Sequence, residues 1–138
     1  MILDEVKKYF EKNCPLLEGK KLSANSLGEK AHSCTLEVAP SPSLIQRYPD
    51  GGSLRQFVFV LATREYFDRQ VQEQLKVNEF YEKFAEWLED QNESGGFPDL
   101  GEGKCAVGWE VLSAGYLYDA EMPKARYQIQ LRLIYEKD

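Results

Sequence analysis

From Arg126 through Leu133 the chain alternates without a break. Tyr127, Ile129, Leu131 and Leu133, continued by Tyr135, fall on one side, and Arg126, Gln128, Gln130 and Arg132 fall on the other. A period of two is the side-chain period of a β-strand, so this segment is a long strand with one buried and one polar face. Such a strand constrains everything around it. Its backbone needs neighbouring strands, and its apolar face needs a second layer.

The rest of the chain contains both. Cys34, Leu36 and Val38 alternate with Thr35 and Glu37, which predicts a strand until Pro40 and Pro42 interrupt it. A second strand is expected over Leu44 to Tyr48, ending in the turn sequence Pro49-Asp50-Gly51-Gly52. Gln56 to Ala62 is apolar on both faces, as a central strand would be. Cys105, Val107, Trp109 and Val111 alternate towards another strand, and Tyr118 to Lys124 suits the tip of a closing hairpin. Two amphipathic helices are expected as well. In the first, Leu3, Val6, Phe10 and Cys14 recur at helical spacing until Pro15 stops the run. In the second, over about residues 77 to 91, Val77, Phe80, Phe84, Trp87 and Leu88 form one stripe, with Asn78 as its cap. The expectation is a single α+β domain over residues 1 to 138, a mainly antiparallel sheet of about four to five strands with two helices packed on one face.

Charge and cysteine usage narrow the function. The net charge is −6 and no run of Lys or Arg exceeds two, so direct binding to a nucleic-acid backbone is not expected. No apolar run has the length of a membrane helix, and the segment after Met1 lacks the regions of a signal peptide, which predicts a chain that stays in the cytosol where it is made. Cys14, Cys34 and Cys105 are odd in number and far apart, which suggests small buried thiols rather than disulfides.

Reactive motifs fare poorly. Gly101-Glu102-Gly103-Lys104-Cys105-Ala106 fits the dinucleotide pattern on paper, yet it leads from a loop into a strand, where no helix N-terminus could meet a pyrophosphate. His32 is the only histidine, so an enzyme of the acyltransferase or hydrolase kind would have to use it as base. Three dispersed cysteines and one histidine have no zinc spacing, and Glu82, Glu86 and Asp90 read as a solvated helix face rather than an acid/base pair. Catalytic residues, metal and cofactor are therefore all expected to be absent. Aromatic and polar residues in loops and on strand faces are better candidates for anchoring a protein partner: Tyr48, Asp50, Phe97, Asp99, Tyr116, Arg126 and Arg132.

The segments Phe97 to Lys104, Glu110 to Asp119 and Ala125 to Tyr135, with Leu61 to Tyr66 and Phe84 to Glu89 in the middle, resemble a minor capsid protein family of phages and prophages. The resemblance covers roughly residues 54 to 135. Its size and α+β order are similar to those of tail terminators, whose subunits close a ring, usually a hexamer, on the end of the tail tube. What the resemblance implies is a virion structural protein of the neck or tail end, made in the host cytoplasm. It would associate with itself, the tail tube protein and the head connector. A transient tail assembly chaperone is the alternative within the same setting. Contacts in a closed ring are heterologous, so each subunit needs two unlike patches. On this reading the Arg126–Arg132 strand face would meet acidic helix residues such as Glu82 or Glu86 of a neighbour.

Overall fold

The structure is a computed structural model that describes residues 1–17, 22–25, 27–28, 33–66, 71–121 and 124–138. Among these residues it is an α+β fold with two α-helices and a mixed sheet of seven strands, more than the four to five expected. The helices are α1 (Ile2–Asn13) and α2 (Val71–Ser94), and a short 3-10 turn at Pro15–Leu17 follows the first. The strands are β1 (Leu22–Ala24), β2 (Cys34–Val38), β3 (Leu44–Arg47), β4 (Ser53–Tyr66), β5 (Lys104–Val111), β6 (Tyr116–Glu121) and β7 (Lys124–Lys137).

The extra strands arise because both flanks of the sheet are split. Two long strands, β4 and β7, pair antiparallel from Ser53↔Lys137 to Tyr66↔Lys124 and form its axis. On the far side of β4, β2 pairs with residues 59–63 and β3 with residues 53–55. On the far side of β7, β5 pairs with residues 131–137 and β6 with residues 124–128. Pro40 and Pro42 divide β2 from β3, since proline has no N–H to donate to a ladder. A further strand, β1, lies parallel to β2, so the sheet is mixed.

Several expected boundaries move. Cys14 caps α1 with extended backbone (φ −87°, ψ 111°), the conformation that a following proline imposes. Asn78 is not a cap, because α2 already begins at Val71. Tyr118 to Glu121 belongs to a strand rather than to a hairpin tip.

The alternation of β7 is realised: Tyr127, Ile129, Leu131, Leu133 and Tyr135 are all buried. Phe59 and Leu61 of β4 face the same side, opposite Leu131 and Ile129. Phe10 of α1 packs against Phe59 and meets Phe84 of α2 edge to face, with ring centroids 6.1 and 5.5 Å away. Burial of each such ring contributes about 1.5–3 kcal/mol.

Cys105 departs from expectation. Cys14 and Cys34 are buried, but Cys105 is exposed. The cause is a bulge between Ala106 and Gly108 in the β5–β7 pairing. One extra residue reverses the facing of everything before it. Trp109 therefore points inward, Ala106 packs against the core, and Cys105 and Val107 turn out.

Candidate functional site

Opposite the Phe59 face, the sheet carries a polar lattice assembled from five strands. The strict polar phase of β7 supplies its spine. Arg126 Nη1 lies 2.8 Å from Glu37 Oε2 on β2, an ion-pair contact without hydrogen-bond alignment. The same guanidinium donates to Gln128 Oε1 from Nε (3.1 Å) and Nη2 (2.8 Å), and its central carbon sits 5.0 Å from the centroid of the Tyr118 ring. Tyr116 Oη accepts from Gln128 Nε2 at 2.6 Å and from Gln130 Nε2 at 3.2 Å. Further down β7, Arg132 donates to Glu110 Oε2 of β5 (2.7 Å from Nε) and to Gln56 Oε1 of β4 (2.9 Å from Nη1). Gln56 Nε2 in turn donates to Ser41 Oγ (3.0 Å) and Pro42 O (2.9 Å).

Three of the seven interface candidates, Tyr116, Arg126 and Arg132, thus share one face. Both arginines find their carboxylates within the chain, at Glu37 and Glu110. The expected pairing of these arginines with Glu82 or Glu86 of a neighbour loses its premise, since their charge is already balanced. Each pair is partly open to water and contributes on the order of 0–1 kcal/mol, so the lattice sets strand register more than it adds stability.

The other four candidates lie at the opposite end of β7, around its C-terminus. Tyr48 closes the β3–β4 turn, its N–H donating to Gly52 O at 2.7 Å, while Asp50 Oδ1 accepts from Gly52 N–H at 3.0 Å. Asp99 makes the equivalent turn bond to Gly101 N–H at 2.9 Å. Both aspartates shape turns. Gly101 and Gly103, at φ 93° and 77°, carry the chain from there into β5, and no helix follows the glycines. Phe97 is half-buried against Trp109, with centroids 6.4 Å apart, so it folds back onto the core. His32 lies outside the described residues.

Sequence reasoning did not single out most of the apolar side chains at the sheet margins. Among the described residues, the large apolar side chains most open to solvent are Met1, Val38, Ile45, Leu75, Val107, Leu112, Leu117 and Tyr118. Six of these eight lie on or beside the outer strands, Val38 and Ile45 on one margin and the other four along β5 and β6. Val107 was concealed by the β5 bulge, and Leu117 by its place just before an apparent turn.

The described residues contain no cluster of His, Cys, Asp and Glu able to hold a metal ion. Among the described residues no helix is long and apolar enough to cross a membrane. A shallow cleft of about 280 Å³ between α2 and the approach to β6 is lined by Asn78, Tyr81, Glu82 and Gly115 among others. No protein-family model matches the chain, and no curated protein matches it.

Proposed function

We propose that this chain is a structural subunit of a phage or prophage particle. It acts at the neck or tail end, where copies associate into a ring that caps the tail tube and offers a face to the head connector. The observation that carries the reading is the distribution of exposed apolar side chains onto two opposite sheet margins, with different residues on each. Apolar side chains left open beside strand edges are candidate contacts for a neighbouring chain. Two unlike patches on one subunit are what a cyclic, heterologous assembly requires. The resemblance of residues 54 to 135 to minor capsid proteins supports the same setting. In this reading both helices occupy the Phe59 face, and the polar lattice holds the opposite face stiff while the margins make contact. Its work is geometric, with no bond made or broken.

Deleting the gene from a phage or inducible prophage and imaging the particles tests the proposal. Over-long or unjoined tails are expected, and particles of normal length and joining would end it. Mass spectrometry of purified wild-type virions should also find the protein. Its absence would replace the ring subunit with a transient assembly chaperone.

A further inference from the structure

Both walls of the cleft between α2 and the β5–β6 connection are fixed in place. On one side, Tyr81 Oη lies 2.6 Å from Thr63 Oγ1 of β4, which anchors α2 to the sheet. On the other, the connection is tied to β7 at Gln130. Leu112 N–H donates to Gln130 O at 2.8 Å, and Ser113 Oγ accepts from Gln130 N–H at 3.1 Å. At the base, Gly115 rests directly on Tyr81, with no room for a β-carbon between them. The opening of about 280 Å³ that remains is therefore built into the fold, with space for a single long side chain.

The two walls differ in chemistry. Asn78, Glu82 and Ala85 fall on one stripe of α2, at i, i+4 and i+7, and Glu89 continues it. The facing segment, Leu112 to Tyr118, carries no charged residue, and its Ala114 presents only a methyl group. Ile129 lies buried beneath. From Val77 to Ser94, α2 holds six carboxylates, Glu79, Glu82, Glu86, Glu89, Asp90 and Glu93, against one lysine. That lysine, Lys83, is taken by Glu79 at 2.7 Å. Among the described residues, none of the ion pairs engages Glu82. The cleft thus offers an apolar slot with an unbalanced carboxylate and an amide oxygen at one lip.

We propose that this cleft takes a lysine or arginine side chain from a partner protein. The methylene stem lies between Ala85 and Ala114, and the cation meets the Glu82 carboxylate and the Asn78 side-chain oxygen. A long basic side chain satisfies both halves of the site, since its stem is apolar and its head is charged. An acidic side chain would meet Glu82 with like charge, and a purely apolar one would cover that carboxylate without pairing it. The inference does not rest on the ring proposed above.

The test titrates the full, nitrogen-15-labelled chain with the acetylated methylamides of arginine, lysine and norleucine at constant ionic strength, and follows backbone amide shifts. Either basic amide should saturate shifts at Glu82, Ala85, Ala114 and Gly115 at about millimolar concentration. The uncharged norleucine amide should bind about fivefold more weakly. Glu82→Gln should erase that difference, whereas Glu86→Gln, beside the stripe, should leave it intact. Ala85→Leu, or Ala114→Leu on the exposed wall, should fill the slot and abolish binding of all three, with circular dichroism to verify folding. Norleucine binding as tightly as arginine would make the cleft an apolar pocket and overturn the proposal. Shifts spread over all the α2 carboxylates, and weakened equally by Glu86→Gln, would mark diffuse screening and overturn it too, as would the lack of any saturable shift at the cleft. The same shifts appearing when the chain alone is concentrated would give the cleft to a second copy and overturn the partner assigned here.

Discussion

At the scale of single residues, the core is most sensitive where it hides hydroxyl groups. Tyr81 Oη and Thr63 Oγ1 lie 2.6 Å apart, and both residues are buried. Burial pushes the Tyr81 phenol far above its ordinary range, with the nearby Cys34 and Glu65 adding in the same direction and the Thr63 bond partly opposing. In the unfolded chain a tyrosine titrates near pH 10, roughly its free value. The native state keeps the proton that the unfolded state releases, so this contribution to stability is intact below about pH 10 and is lost as pH rises beyond it. Tyr81→Phe should flatten the alkaline limb of stability, measured by urea unfolding between neutral and strongly alkaline pH. An unchanged limb would mean that the phenol ionises in place without penalty. At neutral pH the same variant should cost about 1–2 kcal/mol, because Thr63 loses its partner inside the core. A small residue protects this arrangement: a β-carbon on Gly115 would fall on the Tyr81 side chain, so Gly115→Ala should lower the melting temperature through overpacking worth about 1–3 kcal/mol.

Among the elements, β5 shows how a sheet margin is managed. A strand with open backbone groups invites pairing with any other chain. Asn92 occupies the exposed N–H and C=O of Trp109, which ties the last turns of α2 to β5. Asn92→Ala should cost about 1–3 kcal/mol in thermal or urea unfolding for two lost hydrogen bonds. It should also produce polydisperse aggregates by light scattering, since a second stretch of edge becomes available. A stable, monodisperse variant would mean that the loop around Gly96 covers the edge without Asn92. The elements differ in how legible they were in the sequence, for physical reasons. Strand β7 announces itself because one face is wholly core and its partner phase is polar from Arg126 to Arg132. Helices α1 and α2 were visible through spacing, although Tyr81 escaped the stripe because its hydroxyl makes it look like a surface residue. Strand β6 was hidden, since short marginal strands have no buried face to impose a period, and the β5 bulge reversed half a pattern without leaving a sequence mark. For the candidate site, Arg126 and Arg132 were identifiable as one side of an alternation, and Tyr116 as an aromatic past Gly115. Their intramolecular acids, Glu37 and Glu110, were not, because strand order and register decide which carboxylate arrives. Phe97 reads as a loop aromatic in sequence, and only the return of its loop over Trp109 makes it core.

For the whole molecule, stability and assembly are divided between centre and margin. The β4–β7 axis runs the full height of the sheet, and both helices bring core residues to it, so helices and central strands should unfold together. Strands β3 and β6 lie outside that unit, joined to it by one ladder each among the described residues. Local opening of such margins takes far less free energy than global unfolding. Amide hydrogen exchange of the free chain should therefore be slowest around residues 59–62 and 129–133 and fast in residues 45–47 and 117–120. If copies join through these strands, exchange should slow in both on assembly, while the centre, already protected, changes little. Trp109, whose N–H is satisfied by Asn92 in the free chain, should also be indifferent. Slowing confined to β5, or to the polar face around Arg126, would place the contact on another surface.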